Sequence, residues 1–224
     1  MNGSNWIGRI IFGGFILFVL LPLLPGVFRV FKLAGGRALL PDNPRANAAP
    51  FPILLHIVAS VVYGVLCLFQ FSTRFRKKHL NLHRLFGPIA AIAGLAAAAS
   101  GLWMTHFYSF PTNLQGAPLY WFRLLIGTAM FGFVIIAIRA IIGRDVMTHR
   151  AYLIRAFAIG TGASTQAFFG IFWIIATGEE ALGTFRDAVM IGAWLFNLAV
   201  AECIIRRGQK PGRKTSHRSR SVVA

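Results

Sequence analysis

The stretch AFAIGTGASTQAFFGIFWIIATG, residues 156–178, runs for 23 positions without a formal charge. A helix rising 1.5 Å per residue needs about 20 apolar residues to cross the hydrocarbon core of a bilayer. This run meets that length, and it decides the class of fold. Just before it, VMTHRAYLIR (146–155) sets His149, Arg150 and Arg155 at the edge of the apolar segment. Charged side chains at that depth call for a partner or an aqueous cavity.

Five further runs have the same character. Ile10–Phe28 holds 19 residues without a charge and Phe51–Thr73 holds 23. From Leu85 the chain is uncharged up to Arg123, broken at Pro111, Asn113, Gly116 and Pro118. Leu119–Ile142 is interrupted only by Arg123 and Arg139, and Thr184–Ile205 only by Asp187 and Glu202. Composition agrees: 56% of the 224 residues are hydrophobic, 13% are charged, and the mean hydropathy is +0.65. Soluble domains carry roughly a quarter charged residues. The reading is therefore an all-α integral membrane bundle of six transmembrane helices over residues 1–208, followed by a disordered basic tail over 209–224. The first run is read as a retained helix kinked near Pro22, because it is long for a signal core and lacks a clear small-residue cleavage site.

Charge sets the orientation. With both termini cytoplasmic, 17 of the 23 lysines and arginines fall on the inner side, while Asp42, Glu179, Glu180 and Asp187 fall outside. The positive-inside rule favours that arrangement. The net charge of +17 is then spread over short inner loops and the tail, which suits anionic lipid and gives no signature of nucleic-acid binding. Cys67 and Cys203 form no CxxC and no disulfide framework.

Two histidines stand out because their surroundings repeat. NLHRLFGPIAAIAG (81–94) and MTHRAYLIRAFAIG (147–160) each contain a His-Arg step followed, eleven residues after the histidine, by a glycine, Gly94 or Gly160. His83 and His149 thus open two helices at one depth. A helix N-terminus disfavours imidazolium and biases both towards the neutral form that ligates metal. A b-type haem needs two such iron ligands, flat space and cationic partners for its propionates. Small residues at Gly87, Ala90, Ala91, Gly94, Ala97, Ala98 and Gly101 offer the space, and Arg84, Arg150 and Arg155 the charge. Plainer readings stand beside this one. His-Arg steps anchor helices at headgroups, and small residues at four-residue spacing let membrane helices pack closely.

The remaining polar groups divide simply. His56 lies about 8 Å into the second helix, placed to bond Ser60 or a neighbouring helix, or to mark a quinone or proton site. His106 ends the third helix, while His79 and His217 read as solvated. Glu179, Glu180 and Asp187 read as a solvated acidic loop, and Glu202 as a helix-end partner of Arg206. HExxH, GxSxG with a companion acid, the P-loop and the dinucleotide fingerprint are all missing.

The string from His56 through LHRLFG (82–87), the helix ending SGLWM (100–104) and GRDVMTHRAYLIRAFAI (143–159) together resemble the predicted multi-pass membrane proteins of domain of unknown function 2306. The resemblance covers about residues 51–170 and implies a bacterial cytoplasmic-membrane protein of no established activity. Departures fall at Ala151-Tyr152, at Pro88, and at Gln166, where many relatives carry an arginine. A more distant likeness to the ascorbate-reducible cytochrome b proteins, which pair histidines on alternate helices, motivates the haem reading. The functional expectation is electron transfer through one haem b bound by His83 and His149, with a quinone or other redox partner near His56. Alternatives are a small-solute or proton-coupled transporter and a non-catalytic membrane assembly partner.

Overall fold

The computed structural model describes residues 13–209. Residues expected to form the tail lie outside that range, except Gln209, the last described residue of the final helix. Among the described residues, six helical spans are long and apolar enough to cross a membrane. In chain order the helices are α1 (Gly13–Leu33), α2 (Pro44–Ala48), α3 (Pro50–Phe71), α4 (Thr73–Lys78), α5 (Leu80–Phe107), α6 (Ala117–Ile142), α7 (Val146–Gly160), α8 (Gly162–Thr177) and α9 (Gly183–Gln209). A turn interrupts α1 at Leu21–Pro22, where proline removes a backbone donor.

Side-chain chemistry sets the helix ends. Asn43, Ser72 and Asp145 cap α2, α4 and α7 by accepting from the amides of Ala46, Phe75 and Thr148. The Thr148 hydroxyl and amide hold the exposed Asp145 carboxyl below its ordinary range. Gly178 ends α8 with a φ of 77°, a left-handed conformation that glycine adopts without penalty.

Helices α3, α5, α6 and α7 form a ring, each packed along the next, with α3 and α7 also meeting. Helix α9 lies against α6, α7 and α8, and α1 against α3. Large apolar side chains point outward, among them Phe51, Ile92, Trp121, Phe172 and Ile175. Small ones point inward: Ala90, Ala93, Ala97, Ala98, Ala156, Ala158 and Ala193 are all buried. Lipid provides no hydrophobic drive between helices, so close backbone approach and dispersion hold such a bundle together.

The small-residue face of α5 receives side chains of α3. A Cβ on Gly94 would lie 2.9 Å from Tyr63 Cε2, and one on Gly101 would lie 3.3 Å from His56 Cε1. Gly160 on α7 touches the same tyrosine from the opposite edge, at 2.9 Å from Cε1. The two repeated glycines therefore clasp one aromatic ring. Phe157 and Phe71 continue that aromatic column towards the end of the bundle where α4 lies.

Two spans differ from the sequence reading. The third begins at Leu80 and carries Pro88 within a continuous helix, with Gln70 Nε2 donating to the His83 carbonyl (3.0 Å) in the turn that proline loosens. The fifth begins at Val146 and is broken at Thr161, whereas 156–178 had read as one clean span. Helix α9 makes the break tolerable: Asn197 Nδ2 donates to Ala158 O (3.1 Å) and Trp194 Nε1 to Ile159 O (3.2 Å). Carbonyls freed in an apolar medium are thereby satisfied by a neighbouring helix.

Candidate functional site

His83 and His149 sit in the opening turns of α5 and α7, which occupy diagonal positions in the ring. His149 lies within electrostatic reach of His83, as does Arg76 on α4. The Nδ1 atom of His83 is buried and has no hydrogen-bond partner among the described residues. His149 Nδ1 lies 2.8 Å from Ala137 O on α6. A carbonyl only accepts, so this nitrogen carries the hydrogen and leaves Nε2 as the basic pole. That tautomer is the one a metal ligand needs. One turn beyond His83, a Cβ on Gly87 would meet only Gln70 Oε1, at 3.8 Å, so the bundle is less filled here than at Gly94.

The three arginines take different directions. Arg84 is exposed. Arg150 places its guanidinium by Gly208 at the end of α9. Arg155 binds Glu202 of α9 in fork geometry, Nε to Oε1 at 2.5 Å and Nη2 to Oε2 at 3.0 Å, and lies over the Tyr152 ring. Glu202 thus pairs with Arg155 rather than with Arg206, its expected partner one turn away. An arginine inside a span attracts the nearest counter-charge. Replacing Glu202 by alanine is expected to lower stability by about 1 kcal/mol in a detergent unfolding titration. The effect stays well below that of a fully buried pair because the Glu202 side chain is 37% exposed. The swapped pair, Arg155→Glu with Glu202→Arg, is expected to regain part of it.

His56 bonds the neighbouring helix rather than Ser60. Its Nδ1 lies 2.9 Å from Ala97 O and 3.2 Å from Ser100 Oγ, at the opposite end of the bundle from His83. His106 meets the Tyr120 hydroxyl at 3.0 Å. Asp187 corrects the reading of a solvated acidic loop: it is 3% exposed and accepts from the Gly116 amide at 3.2 Å. Sequence reasoning also passed over Gln70, Tyr63 and Asn197. Only Asn197 left a signal, as an amide in the middle of an apolar run.

Ring-forming helices with apolar exteriors and a buried polar seam define a multi-pass membrane protein of the helical-bundle class. The chain belongs to the predicted membrane protein family DUF2306, which matches residues 53–205. No curated protein and no solved structure matches it.

Proposed function

We propose that the protein is an electron-transfer component of a bacterial cytoplasmic membrane, holding one b-type haem between His83 and His149. The observation carrying this reading is the buried Nδ1 of His83, without a partner among the described residues, within electrostatic reach of a His149 whose own Nδ1–H is engaged by Ala137 O. A buried imidazole nitrogen without a partner is expensive, and a ligand that accepts its lone pair removes the penalty. Diagonal helices of a four-membered ring are a common site for such ligands. Bound haem would supply reversible one-electron chemistry.

The chain's own residues have distinct tasks. His149 presents Nε2, its ring orientation fixed by Ala137 O, while Gln70 holds the backbone at His83. Arg76 and Arg84 are among several cations at this end that form no ion pair among the described residues, whereas Arg155 serves the contact between α7 and α9. His56, with Nδ1 held by Ala97 O, keeps Nε2 for a quinol hydroxyl at the other end. The basic residues of α4 and of the end of α9 favour the cytoplasmic face for the histidine end under the positive-inside rule.

The test is a reduced-minus-oxidised spectrum and haem assay on detergent-purified protein grown with ample haem. About one haem per chain is expected, lost in His83→Ala and in His149→Ala with the elution profile unchanged. A colourless, well-folded protein removes the proposal. The break at Thr161 favours transport as the second reading, since carriers use interrupted helices. Here the freed carbonyls are already bonded by Asn197 and Trp194. Solute flux in proteoliposomes, abolished by Asn197→Leu, would restore it.

A further inference from the structure

At the end of the bundle opposite His83, three arginines from three elements cluster, two of them within electrostatic reach of one buried carboxylate. Arg45 of α2 and Arg123 of α6 lie against the same ring, with Cζ atoms 4.5 and 5.3 Å from the Phe110 centroid. Arg186 of α9 lies within electrostatic reach of Arg123, and Asp187 within reach of both. Each guanidinium is partly buried, and none forms an ion pair among the described residues. Their known bonds go to neutral groups: Arg123 to Gln115 Oε1 and Met190 Sδ, Arg186 to Leu114 O, and Arg45 to Asn43 Oδ1. Glu180 acts on Arg186 only from the exposed turn.

Asp187 holds the complementary half. Its Oδ1 accepts from the Gly116 amide, whereas Oδ2 is buried and has no partner among the described residues. Any side chain at position 116 would strike that oxygen, so only glycine lets the carboxylate approach the chain there. Cations crowded in a poorly solvated site favour an anion, and guanidinium suits phosphate. An orphaned carboxylate oxygen favours a charged N–H donor.

We propose that this cluster binds a phosphoethanolamine group, with the phosphate on Arg45, Arg123 and Arg186 and the ammonium on Asp187 Oδ2. The depth suits a lipid headgroup. Arg123 and Asp187 lie only about 9 and 6 Å from the starts of α6 and α9 at the helical rise. Phosphocholine has the same phosphate but a quaternary nitrogen without N–H, so the carboxylate separates the two. The site is independent of the haem reading.

The full chain in detergent, incubated with equal phosphatidylethanolamine and phosphatidylcholine, is read by native mass spectrometry. Phosphatidylethanolamine is expected to be retained about tenfold more, the ratio one charge-assisted hydrogen bond supports. Asp187→Asn keeps an acceptor for the Gly116 amide, and it is expected to bring the ratio to within about twofold. Arg186→Gln is expected to weaken both lipids. Competition by soluble phosphoethanolamine assigns the site to a free solute; retention of lipid despite it assigns the site to the headgroup. Equal retention of the two lipids by the wild-type chain, or equally tight phosphatidylglycerol, overturns the proposal.

Discussion

Alanine at Gly162 is expected to destabilise the protein by about 3 kcal/mol and to loosen α9 from the break in the fifth span. A Cβ there would overlap Trp194 Nε1 and come within 2.9 Å of Cε2. Trp194 has little freedom to retreat, because its indole N–H is the partner of Ile159 O and its ring packs against Phe122. Moving it leaves a carbonyl unsatisfied in an apolar medium, so the steric penalty and the lost hydrogen bond add. Helix propensity acts the other way by about 1 kcal/mol and is outweighed. Unfolding in a denaturing-detergent titration measures the loss. Gly132→Ala is the control, since a Cβ there meets nothing within 4 Å. A Gly162 variant as stable as that control would show that Trp194 does not hold the break.

The second large effect concerns the tyrosine clasp. Gly160→Ala is expected to cost about 2 kcal/mol, because the new Cβ would lie 2.9 Å from Tyr63 Cε1 while the ring's other edge already lies so near Gly94 that a Cβ there would also come within 2.9 Å. The ring cannot slide either way. In a Tyr63→Leu background the same substitution is expected to lose most of its effect, since residues in direct contact are not additive. Tyr63→Phe keeps the ring and so keeps the penalty. It also deletes a hydroxyl that is buried without a partner among the described residues, and alone it is expected to be neutral or stabilising. Equal costs of Gly160→Ala in the wild-type and Tyr63→Leu backgrounds would remove the clasp as the explanation.

The matched positions of Gly94 and Gly160 were visible as a repeat, but their shared purpose was not. Spacing alone left Gly94 in a surface for a flat cofactor or a neighbouring helix and gave Gly160 no task, and a third element, α3, supplies the side chain that fills the space between them. Arg155 shows the same limit. Its depth demanded a partner, and the sequence offered Arg206 to Glu202 at one-turn spacing, whereas the fork to Arg155 joins positions 47 residues apart. Asp187 misled for a related reason. Acidic neighbours and a nearby turn read as a solvated loop, yet the amide of Gly116 draws the carboxylate inward.

What the sequence determined by itself was the solvent and the architecture. Runs of apolar residues about 20 long can satisfy their backbone groups in lipid only as helices, so span number and class follow from composition and length. Tertiary structure alone decided which groups meet: the break at Thr161, the tyrosine between two glycines, the Arg155–Glu202 fork and the arginines around Asp187. Each depends on the rotation of one helix against another. In a bilayer every helix face is apolar, so hydrophobic periodicity carries almost no record of that rotation, and only packing fixes it.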